Sequence, residues 1–77
     1  MNIKIKYFGV LAEKTACQEE QIDFESGKVS DVMKLILERH PNLKPEEFQV
    51  AQNKLIVNQE ASVDGTEIAL LPPFSGG

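Results

Sequence analysis

The sequence predicts an α+β fold, in which a mixed sheet of about five strands packs against one main helix. Three patterns support this prediction. Apolar and polar residues alternate over 2–8, apolar residues recur at helical spacing over 29–37, and residues 67–71 are almost continuously apolar. A strand with so little polar character is typical of a strand that is covered on both faces or is central in the sheet, so we expect one of these two placements for 67–71.

The first two predicted strands form an antiparallel pair. Strand 2–8 has an apolar side and a mixed side, formed respectively by Ile3, Ile5 and Tyr7, and by Lys4, Lys6 and Phe8. Strand 17–24 begins with Cys17, and only its Ile22 and Phe24 end carries an apolar face. Between them, "VLAEKTA" (10–16) has the composition of a short helical turn or loop, and "ESGK" closes the pair as a hairpin.

The main helix has recognisable ends. Ser30 is the expected N-cap, and Asp31 lies favourably near the positive end of the helix dipole. Pro41 excludes helical geometry at His40, so we expect the helix to end there with His40 as its cap. The predicted core positions are Val29, Val32, Met33, Ile36 and Leu37.

The second half of the chain supplies the remaining strands. We expect an irregular connector with one turn starting at Pro45, then strands at 48–52, 55–57 and 67–71. The sequence "VDGT" predicts the turn into the last strand.

Composition excludes several classes of function. The 77 residues form one domain, and a net charge of −4, from eight basic and twelve acidic residues, argues against nucleic acid and anionic membranes as partners. No segment approaches the roughly 20 apolar residues of a membrane span, and the N-terminus lacks the pattern of a signal peptide, so we expect a cytoplasmic protein. Cys17 and His40 are single and far apart in sequence, which disfavours a disulfide and a zinc site and predicts no metal.

The last six residues, "PPFSGG", predict an extended tail (72–77) that follows a folded domain (1–71). Pro72 and Pro73 lack the N–H that a sheet ladder requires, so the chain must leave the sheet there. Such a tail could reach about 20 Å, at roughly 3.3 Å per residue. Gly76 and Gly77 make its end narrow enough to pass constrictions that would exclude alanine.

The remaining candidate contacts surround this tail. We expect Phe74 to anchor in a partner's groove, and Ser75 to be a small hydrogen-bonding spacer because no base is placed to activate it. Phe8 and Leu71 are candidates for an apolar docking face, although core packing is the default for both.

The tail ends in an α-carboxylate, which is ionised at neutral pH and is a poor electrophile. Acyl chemistry at Gly77 requires activation, most simply as a mixed anhydride with AMP, and no motif in the chain could perform it. The pattern therefore favours a carrier or substrate of a nucleotide-using enzyme over a catalyst. Capture by sulfide gives a thiocarboxylate, and capture by a lysine amine gives an isopeptide bond.

These residues resemble the ubiquitin-related β-grasp sulfur carriers, and most specifically the molybdopterin synthase small-subunit family. The resemblance spans nearly the whole chain: "YFG" after the first strand, the helix "VSDVMKLILERHP", and the strand followed by "PPFSGG". The ending is similar to that family's Pro-Pro, apolar, Ser/Thr, Gly-Gly pattern. One departure is Gln52, where the family often has Val.

The resemblance implies a function and a set of partners. An ATP-using, E1-like enzyme would adenylate Gly77, a sulfur donor would convert it to a thiocarboxylate, and the tail would pass sulfur to cyclic pyranopterin monophosphate to form the molybdopterin dithiolene. The catalytic residues would belong to the large synthase subunit, in a heterotetramer of two small and two large subunits, and this chain would bind no cofactor tightly.

Three alternatives remain open. The chain could carry sulfur in another pathway, such as that of the thiamine thiazole or a cysteine-type pathway. It could be a ubiquitin-like modifier conjugated through Gly77, or a plain interaction module with an inert tail.

Overall fold

The computed structural model describes residues 2–25, 27–44, 48–63 and 67–72, and it confirms five strands and one main helix. The elements, in chain order, are β1 (Asn2–Tyr7), α1 (Val10–Thr15), β2 (Glu19–Asp23), α2 (Val29–Arg39), a 3₁₀ turn (Pro41–Leu43), β3 (Gln49–Gln52), β4 (Leu55–Val57) and β5 (Glu67–Leu71). Within the described residues, neither helix is both long and apolar enough to cross a membrane.

The five strands form one mixed sheet in the order β2-β1-β5-β3-β4, so β5 is central, which is one of the two predicted placements. β1 and β5 run parallel, from Lys4 opposite Glu67 to Tyr7 opposite Leu70. The other three pairs are antiparallel. A parallel pair needs a long crossover, and here α1, β2, α2, β3 and β4 all lie in the chain between β1 and β5.

In the described part of the chain, helix α2 covers one face of the sheet. The core lies between that face and α2, and the side chains of Ile5, Ile36, Ile68 and Leu70 in it are fully buried. The helical periodicity predicted Val29, Val32, Met33 and Ile36 as core residues, and all four are buried, while Leu37 is half-buried against them. Neither described helix covers the opposite face of the sheet, and we call it the open face.

The predicted N-cap of α2 was wrong, because the helix begins at Val29 with Lys28 as its N-cap residue. The first backbone N–H groups already have acceptors, since Val29 N donates to Ala61 O and Ser30 N donates to Gln59 O, both at 2.9 Å. The Asp31 carboxylate accepts from the Lys28 N–H at 2.9 Å. Backbone carbonyls of the loop before β5 therefore accept hydrogen bonds from the start of the helix, where the Ser30 hydroxyl was expected to act as the cap.

Cys17 is not a strand residue, which corrects the sequence prediction. α1 ends at Ala16 in the left-handed conformation (φ 60°), and the Thr15 side chain then binds the Cys17 backbone, accepting from its N–H at 3.4 Å and donating to its carbonyl at 3.0 Å. β2 begins only at Glu19. The pairing of β1 with β2 is confirmed, but α1 connects these two strands. The hairpin predicted at "ESGK" is wrong, because Lys28 is the N-cap residue of α2.

The predicted end of α2 is confirmed. The helix stops at Arg39, His40 is its C-cap residue, and its backbone N–H donates to Ile36 O at 2.8 Å. The turn that follows starts at Pro41. The turns predicted at Pro45 and at 64–66 lie outside the described residues.

Gln52 is a buried polar side chain in β3, at the position where the resembling family often has Val. Its residue is 7% exposed and faces the helix side of the sheet, opposite Ile68. The side-chain amide donates to the Ser62 carbonyl at 3.1 Å, so burial does not leave its Nε2 without a partner. The loop before β5 thus supplies the hydrogen-bond acceptor that allows Gln52 to be buried at this position.

Candidate functional site

The tail begins where the central strand ends, beside the end of β1. β5 stops at Leu71, and Pro72 is the last described residue. The Phe8 N–H donates to the Leu70 carbonyl at 3.2 Å, which joins the chain after β1 to the end of β5. The other predicted tail residues, Pro73, Phe74, Ser75, Gly76 and Gly77, lie outside the described residues.

Gly9 lies directly against the base of the tail. Its φ is +58°, and a Cβ added there would lie 3.0 Å from Pro72 Cγ. Glycine adopts this backbone conformation without the clash that an L side chain would create. Gly9 therefore serves both the turn from β1 into α1 and the close approach of Pro72.

The open face carries an apolar groove of about 260 Å³ that runs up to the same end of the sheet. Phe8 is 43% exposed and Ile56 is 57% exposed, which is unusual for side chains of this size. The groove is lined by Lys6, Phe8, Ala51, Asn53, Lys54, Ile56, Glu67, Ala69 and Leu71.

Phe8 and Leu71, the predicted docking residues, both line this groove. Sequence analysis did not identify Ile56, which comes from β4 at the edge of the sheet. The available signal was the short strand "LIV", along which successive side chains point to opposite faces of the sheet. The register places Ile56 opposite Ala51, and Ala51 opposite Ala69. That register could not be derived before the strand order was known.

Charged groups flank the apolar groove. Lys6 Nζ lies 3.0 Å from Glu67 Oε1 across the parallel pair. The hydrogen bond between them raises the pKa of the Lys6 ammonium and lowers the pKa of the Glu67 carboxyl. Both side chains are about one-third exposed, so the ion pair adds little to the free energy of unfolding. Its main effect is to hold the two charged side chains in place at the edge of the groove.

A second polar cluster lies at the far edge of the core, between β1, β2 and the end of α2. Glu20 Oε2 accepts from the Tyr7 hydroxyl at 2.6 Å and lies 2.6 Å from His40 Nε2, while Oε1 accepts from Arg39 Nη1 at 2.8 Å. The Tyr7 and His40 rings meet edge to face, with centroids 5.6 Å apart. His40 thus caps α2 with its backbone, as predicted, but its ring serves this cluster.

Hydrogen bonding decides the charge state of the cluster. Burial alone would raise the pKa of the Glu20 carboxyl, but hydrogen bonds from Tyr7, His40 and Arg39 outweigh it and hold this pKa below its usual value. Burial, reinforced by the contact with Glu20, strongly raises the pKa of the Tyr7 hydroxyl. Glu20 is therefore the anion around which the other three groups are arranged.

Comparisons with known sequences identify close relatives over the full length of the chain. The sequence profile of the ThiS family matches residues 5–77. The chain is 36% identical to the molybdopterin synthase sulfur carrier subunit of Caenorhabditis elegans, over 100% of this chain and 99% of the relative. It is 32% identical to the subunit of the same name from Chlamydomonas reinhardtii, over 100% of both chains.

Comparisons with solved structures agree with those relatives. The putative molybdopterin converting factor subunit 1 from Pyrococcus furiosus superposes with a TM-score of 0.86 at 26% identity, over 95% of this chain and 98% of that one. SAMP1 from Haloferax volcanii superposes with a TM-score of 0.83 at 26% identity, over 100% of both chains. These matches confirm the β-grasp fold and the resemblance that the sequence predicted.

Replacing Gly9 should disturb the base of the tail. We expect Gly9→Ala to lower the free energy of unfolding by about 1–3 kcal/mol, because the new Cβ strains a positive φ and meets Pro72. Ala16→Gly is the matched control, since it relieves a positive φ away from the tail and should leave stability unchanged or increase it. Denaturant unfolding measures both, and equal stability of Gly9→Ala and the natural chain would contradict this role.

Glu20 should make the free energy of unfolding depend on pH in the acid range. A carboxyl whose pKa is lowered on folding stabilises the protein above the unfolded-state value of about 4.3, and this contribution disappears as the pH falls through the folded-state pKa. We expect Glu20→Gln to cost about 1–2 kcal/mol at pH 7 and much less at acid pH. Glu19→Gln, on the exposed neighbour, is the control, and an identical pH profile for both variants in thermal unfolding would contradict the assignment.

Proposed function

Because the chain belongs to the ThiS family, we propose that it is a sulfur carrier, and specifically the small subunit of a molybdopterin synthase. Gly77 is the group that carries the sulfur. The full-length similarity to two curated sulfur carrier subunits supports this proposal. The structural observation that carries it is the exit of the chain at Pro72 from the central strand, beside an exposed apolar groove.

The geometry suits presentation of a chain end to another protein. β5 is hydrogen-bonded on both sides, to β1 and β3, so the point from which the tail leaves is fixed by two ladders. The five residues after Pro72 could extend about 16 Å, at roughly 3.3 Å per residue. A firmly held base and a narrow end allow a partner to recognise the body while it reacts with the tip.

The chemistry requires activation by an ATP-using partner. The Gly77 carboxylate attacks the α-phosphorus of ATP, which forms the acyl adenylate and releases pyrophosphate. Sulfide from a donor then displaces AMP and leaves a thiocarboxylate. On the large subunit, the thiocarboxylate sulfur bonds to cyclic pyranopterin monophosphate, and water then cleaves the acyl–sulfur bond and returns Gly77 to the carboxylate. Two such transfers supply the two sulfurs of the molybdopterin dithiolene, and they use no cofactor bound tightly to this chain.

The open-face groove is the docking surface for these partners. Phe8, Ile56 and Leu71 supply apolar area, and the Lys6–Glu67 pair supplies charges of both signs at its rim. Exposed aromatic and aliphatic side chains of this kind form the centres of protein interfaces. The large synthase subunit binds here in a heterotetramer of two small and two large subunits, and the adenylating enzyme uses the same face at a different step.

A second candidate function is conjugation to other proteins through Gly77. The likeness to SAMP1, which is described as a small archaeal modifier protein, favours it. Such a modifier shares the adenylation step and differs in the nucleophile, which is a lysine amine. Denaturing gels that show covalent ladders dependent on Gly77 would support conjugation.

Sulfur carriage in another pathway, such as that of the thiamine thiazole, is a further alternative. It would appear as co-purification of the chain with a different partner.

Blocking the end of the tail should abolish function without affecting the fold. We expect an alanine appended after Gly77, or deletion of Gly77, to eliminate molybdopterin synthesis in cells that lack the natural chain, because neither variant ends at the carboxylate that is adenylated. The thermal midpoint should stay nearly unchanged, since the change lies beyond the last strand. The same alanine placed before Met1 is the control, and full activity of the appended variant would contradict the mechanism.

Two adjacent residues in β4 test the docking surface. Ile56 faces the groove, whereas Leu55, 71% exposed, alternates to the other side of the strand. We expect Ile56→Ser to weaken binding to the large synthase subunit about tenfold or more, and Leu55→Ser to leave it nearly unchanged. Titration calorimetry with the purified large subunit measures both, and equal effects of the two variants would exclude the groove as the interface.

A further inference from the structure

The fold brings together a sulfur, an oxygen and a nitrogen ligand that the sequence keeps far apart. Cys17 precedes β2, Glu20 lies in β2, and His40 ends α2, yet Cys17 Sγ, a Glu20 carboxylate oxygen and a ligand nitrogen of His40 all lie within 4.8 Å of one another. The expectation of no metal rested on the sequence separation of Cys17 and His40. That separation no longer argues against a site.

The ligand set and its spacing fit a zinc ion. Zinc–ligand bonds of about 2.0–2.3 Å in a tetrahedron place the ligand atoms roughly 3.2–3.6 Å apart. The Glu20 Oε2 to His40 Nε2 distance of 2.6 Å must open by less than about 1 Å, and no pair must close by more than about 1.6 Å. All three residues are half-buried, and we expect rotation of their side chains to supply these changes.

Neighbouring groups already hold each ligand in place. The buried Thr15 side chain fixes the backbone of Cys17 and lies 3.6 Å from its Sγ. Arg39 donates to Glu20 Oε1, while Oε2 accepts from the Tyr7 hydroxyl and lies 2.6 Å from His40 Nε2. The Tyr7 ring also packs edge-on against the His40 ring. Orientation by outer groups of this kind is typical of metal centres.

The charges also balance. A Cys17 thiolate and the Glu20 carboxylate together neutralise a divalent ion, while Arg39 stays on the outer carboxylate oxygen. The His40 and Glu20 side chains are 19% and 18% exposed, so an ion can enter from solvent. Without an ion, hydrogen bonds to Glu20 hold the cluster together, and the ion must displace the contact between Oε2 and His40.

We propose that Cys17, Glu20 and His40 bind Zn²⁺ through one sulfur, one oxygen and one nitrogen, with a water molecule as the fourth ligand. Binding releases the thiol proton of Cys17 and involves no change of oxidation state. Tyr7, Thr15 and Arg39 are positioning residues. The ion ties the start of β2 to the end of α2, and this role is independent of Gly77 and of sulfur transfer.

Cobalt provides the direct test, because Co²⁺ occupies zinc sites and its bond to a thiolate absorbs in the near ultraviolet. We expect the reduced, chelator-treated full chain to bind one equivalent of Co²⁺ with a thiolate charge-transfer band and the visible bands of a tetrahedral ion. Zn²⁺ should bleach both. Zn²⁺ should also raise the thermal midpoint of the natural chain, because it binds only the folded state.

Variants assign the ligands. Cys17→Ser should remove the charge-transfer band, and His40→Gln and Glu20→Gln should each weaken binding by more than about tenfold, whereas Glu19→Gln should bind normally. Circular dichroism of each variant separates lost ligands from lost folding. Absence of the band in the natural chain at millimolar Co²⁺, or an unchanged spectrum in folded Cys17→Ser, would overturn the proposal and leave the cluster as a hydrogen-bonded one.

Discussion

The parallel pairing of β1 with β5 is the constraint on which the rest of the structure depends. It joins residues from opposite ends of the chain, Lys4–Tyr7 with Glu67–Leu70, and therefore requires a long crossover connection, which here contains α2. Because parallel strands end at the same edge, it brings the base of the tail beside Phe8 and Gly9. The burial of Ile68 and Leu70 in the core fixes this arrangement energetically.

The two faces of the sheet contribute differently to stability and to recognition. The face toward α2 supplies the fully buried side chains and therefore most of the free energy of folding. The open face keeps Phe8 and Ile56 exposed, which contributes little to stability and is instead suited to a partner. Changes on the open face and in the tail should thus affect recognition and reactivity while the fold stays intact.

Much of the fold could be predicted from the sequence because periodicity reports burial directly: the alternation around Ile5 and the helical spacing around Ile36 identified core residues correctly. The errors arose where distant segments supply a local need. Ser30 was the wrong N-cap because loop carbonyls satisfy the helix, and Cys17 left the strand because Thr15 holds its backbone. The fold brings Cys17 within 4.8 Å of Glu20 and His40, and no local sequence pattern encodes this proximity.

The central claim is that the folded body presents Gly77 as an acyl group for another enzyme to activate. The mass of the intact chain, isolated from its own cells under reducing conditions, tests this claim most directly. We expect a fraction of molecules in which sulfur has replaced one oxygen, with fragmentation assigning the exchange to Gly77. A chain that carries only the unmodified carboxylate, in cells that are actively making molybdopterin, would contradict it.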